Sequence, residues 1–319
     1  MSAARLAALL GVLALAAAAL ALPWLLRALG AEFYLSFASR IVVFAIAATS
    51  LNLLLGYGGM VSLGHTAFFG LGAYATGILL SEGVQSAALH GLVTVAVVAV
   101  AALAIGAISL RTRGVYFIMI TLAFAQMLFY LSNSVKQYGG DEGLTLKLRT
   151  LLPFGLSLRD GVTLYFEALS VLAVTLLLLA RFTRSRMGRA VLALRDDELR
   201  AEALGLPTFR IKLALFVAAG VLAGVAGAIN VNLQGYVSPS HLHWTQSGTL
   251  LVMVILGGVG TVWGGVLGAA ALLLLQEVLS AYTKHWGFWT GWVLLAVVLF
   301  ARQGLVGIAA SWFARRERA

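Results

Sequence analysis

Ser185-Arg186-Met187-Gly188-Arg189-Ala190-Val191-Leu192-Ala193-Leu194-Arg195-Asp196-Asp197-Glu198-Leu199-Arg200-Ala201-Glu202-Ala203-Leu204-Gly205-Leu206-Pro207 is a mixed-charge stretch set between two apolar runs, Val162 to Phe182 and Ile211 to Leu233. Each run has the ~20 residues that a bilayer crossing requires. From Gly188 to Leu204 no residue breaks a helix, and Val191, Leu194, Glu198 and Ala201 follow helical spacing. Gly205 and Pro207 form a stop signal. The expectation is a short amphipathic helix that projects into the cytoplasm between two spans. A solvated loop helix is the plain alternative; a docking helix for a cytoplasmic partner explains why the longest charged element lies there.

The rest of the chain has the same grain. Of its 319 residues 61% are hydrophobic and 11% charged, with a mean hydropathy of +0.98. Soluble domains are about half apolar and a quarter charged, so an ordinary globular protein is excluded. The apolar runs are solid blocks, not the short alternating segments of a barrel. They predict an all-α fold, a polytopic membrane helical bundle of about ten transmembrane helices. The runs are Leu6 to Leu26, Phe33 to Leu55, Met60 to Leu80, Ala87 to Leu110, Val115 to Leu131, Val162 to Phe182 and Ile211 to Leu233. Gly248 to Gly260 and Val262 to Leu279 follow, as two tightly joined spans or one discontinuous helix, and Phe288 to Phe300 is last, extended toward Trp312. Residues 1–319 form one transmembrane domain, with 183–212 as a cytoplasmic loop between the sixth and seventh spans. Arg5, the run after it and Ala19-Leu20-Ala21 resemble a signal peptide, but the many later spans favour an uncleaved first span.

Positive charges orient the bundle. Arg181, Arg184, Arg186, Arg189, Arg195, Arg200, Arg210 and Lys212 crowd one loop, Arg111 and Arg113 lie in another, and Arg315, Arg316 and Arg318 are C-terminal. Ten alternating spans put all three on the side of Arg5, which the positive-inside rule makes cytoplasmic, with both termini there. The net charge of +10 reflects this retention; no basic stripe interleaved with stacking aromatics points to nucleic acid. Membrane lipid is the expected surroundings.

Enzyme signatures are missing. No glycine is followed by lysine, so there is no P-loop, and there is neither a G-x-S-x-G elbow nor an H-E-x-x-H pair. Absent cysteine removes thiolate chemistry, and His241 with His243, lacking a nearby carboxylate, reads as polar loop and not as a metal site. No catalytic residue and no metal is expected. Arg40, Glu167 and Glu277 are the charges inside spans, each near enough to an end to snorkel. Gly56, Gly59, Ser62, Gly64 and His65 make a polar, glycine-dense stretch that suggests either unwound backbone on a solute pathway or close helix packing. Gly260, Gly264 and Gly268 put glycines on one helix face, a packing device repeated by Gly220 and Gly224. Leu55, Gly56, Gly59, Val61 and Gly64 align at constant offset with Leu256, Gly257, Gly260, Val262 and Gly265, a faint internal repeat of the kind that marks transporter pathways.

Four motifs now carry a resemblance: Leu51 to Gly59 with Ser62 to His65, Arg113-Gly114-Val115-Tyr116-Phe117, Ser185 to Lys212, and Leu256-Gly257-Gly258-Val259-Gly260-Thr261. In this order, from about Arg40 to Gly307, they resemble permeases of branched-chain amino-acid ABC importers, of the LivM type. The resemblance implies a second permease subunit (LivH type), two ATPase subunits docked from the cytoplasm and a periplasmic substrate-binding protein. ATP and Mg would be held by those partners, this chain binding no cofactor, in the inner membrane of a bacterium. It assigns coupling to Gly188, Arg195, Asp196, Asp197, Glu198, Glu202, Ala203 and Gly205. Of the broader Glu-Ala-Ala-x-x-x-Gly pattern Glu202 and Ala203 match, while Leu204 and the early Gly205 depart. The glycine segments, with Gly56, Gly59, Ser62, Gly64, His65, Gly257 and Gly260, are expected to line or flex around the pathway. Gly139-Gly140-Asp141-Glu142-Gly143 resembles the family's outward loop, a contact for the binding protein or simply a turn. Alternatives are a proton-coupled secondary transporter, or a relative importing urea, amides or aromatic acids.

Overall fold

The computed structural model describes residues 17–28, 30, 32–300 and 304–307. In chain order its helices are α1 (Ala17–Ala28), α2 (Glu32–Asn52), α3 (His65–Ser81), α4 (Ala87–Ser109), α5 (Val115–Ser134), α6 (Gly161–Arg184), α7 (Arg186–Asp196), α8 (Glu198–Ala203), α9 (Thr208–Gln234), α10 (Trp244–Gly257), α11 (Gly264–Tyr282) and α12 (Trp286–Phe300). Among the described residues six are long and apolar enough to cross a membrane: α2 with the turn after it, α4, α5, α6, α9 and α11. Helices α1, α10 and α12 are apolar but shorter. The chain is membrane-embedded and helical. The first part of the Leu6 run, Arg5, and the C-terminal stretch with Trp312 and Arg315 to Arg318 lie outside the described residues.

Three expectations need correction. The charged segment is two helices, α7 and α8, and not one, because Asp197 turns to extended backbone (φ −159°) and its carboxylate accepts the Arg200 N–H as an N-cap. The third apolar run is helical only from His65; Gly58 to Gly64 is irregular backbone. Gly260 has a φ of +75° and lies in the turn before α11, so Gly260, Gly264 and Gly268 do not share a helix face. The Gly248 to Leu279 region is two helices, α10 and α11, joined by the turn at 258–263.

Helix α2 and the turn after it form the buried axis of the bundle, with Val43, Ala45 to Ala48, Leu51 and Leu54 inaccessible. Lipid is as apolar as leucine, so helices here associate by close approach and interhelical hydrogen bonds. Small residues supply that approach between α3 and α9: a side chain at Gly72 would strike the Gly224 carbonyl, and one at Gly227 the Phe69 carbonyl. Phe68, Phe117 and Phe216 interlock edge to face beside this seam.

At one end of the bundle β1 (Leu144–Thr145) pairs antiparallel with β2 (Tyr236–Val237). The Thr150 N–H donates to Asn232 Oδ1 at 2.9 Å, tying the α5–α6 loop to the end of α9. Asp160 caps α6 at that end through Thr163; burial pulls its pKa upward, but the Thr163 hydrogen bonds and Arg27 outweigh it and hold the carboxyl below its ordinary value. His241, in the loop after β2, lies buried among Ser238, Asn230 and Gln234, and desolvation holds its pKa down. His243 instead caps α10. In the 139–143 loop Gly139, Gly140 and Gly143 all have positive φ, a turn that only glycine takes without strain.

Candidate functional site where two glycine breaks meet the charged segment

At the other end the helix ladder of α2 widens into a π-type turn over Leu53–Tyr57. Such turns free carbonyls and recur at functional positions. The Gly56 carbonyl is taken by a residue far along the chain, Arg195 of α7, whose Nη1 donates to it at 2.8 Å. Three residues on, Gly59 adopts φ +66°, and a Cβ there would stand 2.8 Å from Arg195 Cγ. The guanidinium also reaches Asp196 Oδ1 at 3.2 Å. Arg195 thus lies across the first glycine break, its stem on Gly59 and its head on Gly56.

The second break, at 258–263, meets the first directly. Asn52 donates through Nδ2 to the Thr261 carbonyl at 2.7 Å and accepts the Gly260 N–H on Oδ1 at 2.9 Å. An amide side chain has one donor group and one acceptor, so one residue satisfies both poles of exposed backbone. Of the aligned positions, Gly59 and Gly260 both have positive φ. Gly64 and Gly265 each sit against foreign backbone, at Thr121 and Thr49 respectively. The two segments touch through Asn52 and Gly56.

Non-helical backbone inside a bilayer persists only when buried and hydrogen-bonded. Beyond Gly59 the first break meets this need with side chains. Ser62 Oγ is the partner of the Gly64 N–H. Ser50, whose hydroxyl donates to Ala47, lies 2.9 Å from His65 Nε2 and leaves its oxygen to accept from that ring. At the start of α3 the Thr66 N–H donates to Ser247 Oγ of α10 at 3.0 Å.

The charged segment is seated from below. Ser185 Oγ accepts the Gly188 N–H to start α7, and a side chain at Gly188 would strike the Phe182 carbonyl. Val191, Leu194 and Ala201 are buried against the bundle. Glu198, the first residue of α8, pairs with Lys212 of α9 and with Arg113 of the α4–α5 turn, the latter at 3.4 Å. Glu202 accepts from Thr208 at 3.1 Å. Leu199 and Leu204 face outward with 69% and 76% of their surface exposed. A cleft of about 280 Å3 lies where Gly59, Met60, Thr112, Arg113, Arg195 and Lys212 converge.

Of the residues singled out from sequence, the fold brings Arg195, Gly56, Gly59 and Gly260 together. Asp197 and Glu198 cap and anchor α8, while Asp196 is exposed. Ala203 and Gly205 lie at the far end of α8, Gly205 left-handed with open space around it. Gly257 is packed into its own hairpin against Gly264 and Gly268. Ser62 and His65 are fully buried beside α2. Sequence reasoning assigned no role to Asn52 or Ser247; a lone amide just before a glycine cluster in an apolar run was the available signal for the first. Glu167 faces a cavity of about 90 Å3 with His90 and Asn232. Among the described residues no group of three or more histidine, aspartate or glutamate side chains is arranged to hold a metal ion.

A membrane helical bundle with irregular glycine breaks and an ordered polar segment fastened to them has the form of a transport permease. The family model described as "Branched-chain amino acid transport system / permease component" matches residues 33–302, and the chain belongs to that family. It is 30% identical over 296 residues to the high-affinity branched-chain amino acid transport system permease protein LivM of Salmonella typhimurium strain LT2, covering 84% of this chain and 69% of that one. A shorter match, 30% over 141 residues and 44% of each chain, is to the corresponding permease protein LivH of Escherichia coli K12. The autoinducer 2 import system permease protein LsrC of Enterobacter sp. strain 638 is 28% identical over 83% of this chain and 79% of its own. The chain is a permease subunit of an ABC importer, not an enzyme.

Proposed function

We propose that this chain, in the inner membrane of a bacterium, carries branched-chain amino acids inward as one half of a permease pair with a LivH-type subunit. A periplasmic binding protein delivers the solute, and two ATPase subunits holding ATP and Mg dock on α7 and α8, the coupling elements of the 183–212 loop. The observation that carries the reading is the Arg195 bond to the Gly56 carbonyl. Through it a push on α7 reaches the first glycine break, and through Asn52 the second. The exposed Leu199 and Leu204 are apolar knobs for a partner's groove. Gly56, Gly59, Ser62, Gly64, His65, Gly257 and Gly260 belong, in this reading, to the elements that rearrange as the pathway alternates.

Ten crossings with both termini cytoplasmic suit the charges. The Arg113–Glu198 pair ties two basic loops to one face of the bundle, as the positive-inside rule asks. The likeness to an autoinducer 2 permease supports a second reading, in which the same machinery admits another small polar solute.

Mild-detergent purification of the tagged chain from its native membrane, with ATP hydrolysis assayed on the eluate, tests the assembly. Recovery of a second permease and two ATPases, active together, is the expected result. A lone chain without hydrolysis, reproduced in several detergents, overturns it.

A further inference from the structure

Two adjoining cavities lie toward the end of the bundle that carries the β ladder, and Arg40 and Gln234 line both. The first, about 360 Å3, is completed by Phe33, Phe37, Leu233 and Glu277. The second, about 330 Å3, continues inward past Phe44, Gln246 and Gln276. Both fall in the size range of small-molecule sites, ~300–1,000 Å3.

Arg40 and Glu277 stand within α2 and α11, and neither has an ion-pair partner among the described residues. A charge at such a position is costly and normally faces a watery cavity on a functional path. The Arg40 guanidinium lies 5.8 Å from the ring of Phe44 on the same face of α2, and both side chains line the second cavity.

We propose that Arg40 and Glu277 form a transit site for the zwitterionic head of an α-amino acid. The solute carboxylate pairs with the Arg40 guanidinium and its ammonium with Glu277. Gln234 offers a further donor and acceptor, and the apolar side chain lies against Phe33, Phe37 and Leu233. This rests on the amino-acid reading given above and deepens it, since neither cation nor anion alone would use both charges.

The test uses the complete transporter in proteoliposomes, with leucine as probe at saturating binding protein. Assembly, basal ATP hydrolysis and uptake are measured for the wild type, Arg40→Gln, Arg40→Lys and Glu277→Gln. The expected result is at least a tenfold fall in uptake for Arg40→Gln, a smaller fall for Arg40→Lys and a clear fall for Glu277→Gln, with assembly and basal hydrolysis unchanged. Wild-type uptake by Arg40→Gln and Glu277→Gln overturns the site while leaving the amino-acid reading intact. Should Arg40→Gln fail to assemble, wild-type uptake by both Arg40→Lys and Glu277→Gln overturns it equally. A wild-type complex that hydrolyses ATP yet imports no amino acid defeats both readings.

Discussion

The break after α2 and the break after α10 put a left-handed glycine at matched positions, Gly59 and Gly260, but they are held in place differently. The first takes side-chain hydrogen bonds at three points, Arg195 on Gly56, Ser50 beside His65 and Ser247 at the start of α3, and one backbone seat, Gly64 against the Thr121 carbonyl. The second is fastened mainly by backbone. Gly257 lies against Gly264 and Gly268, Gly268 against the Met253 carbonyl, and Gly304 against Gly258. Backbone seated on backbone has no rotamers with which to yield, whereas a side-chain hydrogen bond can be exchanged. The second break, with more backbone seated on backbone, is therefore the more fixed of the two and the first the more adjustable, and Asn52 joins them.

Breaking the fixed member has the largest expected effect. Gly257→Leu drives a side chain into the α10–α11 hairpin at a cost on the order of 3 kcal/mol or more. Little folded protein is then recovered from the membrane, as size-exclusion chromatography of solubilised material will show. A normal yield removes the claim of rigidity. Gly59→Leu is the contrasting case. Its left-handed backbone costs ~1–2 kcal/mol, but what it strikes is the flexible Arg195 stem. The chain is expected to reach the membrane at near wild-type level while uptake falls below a tenth. Unchanged uptake at normal expression sinks the role given to the first break.

Smaller changes sharpen the same contrast. Asn52→Ala removes both bonds across the breaks and costs about 1–2 kcal/mol, a lower thermal midpoint with the fold retained. An unchanged midpoint would mean that the breaks are held together by packing alone. Glu198→Gln loosens α8 from Lys212 and Arg113 by ~1 kcal/mol or less. Its difference from wild type should shrink at high salt, because charges near solvent are screened; a salt-independent difference would point to packing at Glu198 instead.

The helical bundle was legible because apolar runs of span length admit few other folds, and six of the described helices are long and apolar enough to cross a membrane. The joint at Asp197 was harder. Asp-Glu at 197 and 198 carries an N-cap signal, but a window without glycine or proline reads equally as one continuous helix. Gly260 misled for a related reason: spacing by four cannot separate a helix face from a left-handed turn that happens to precede one. Arg195 and Gly56 were each singled out, but as members of different sites. Their bond joins positions 139 residues apart, and no local pattern encodes it. The aligned glycines Gly59 and Gly260 came nearest to foretelling the site, since both take positive φ, though contact between their segments is a product of packing.

The most direct test of the coupling account is the ratio of solute imported to ATP hydrolysed in the reconstituted complex, compared between wild type and Arg195→Ala. Losing the Gly56 bond while α7 keeps its seat through Val191 and Leu194 should leave assembly and hydrolysis in place and lower the ratio severalfold. An unchanged ratio, with hydrolysis and uptake both normal, would contradict transmission through Arg195.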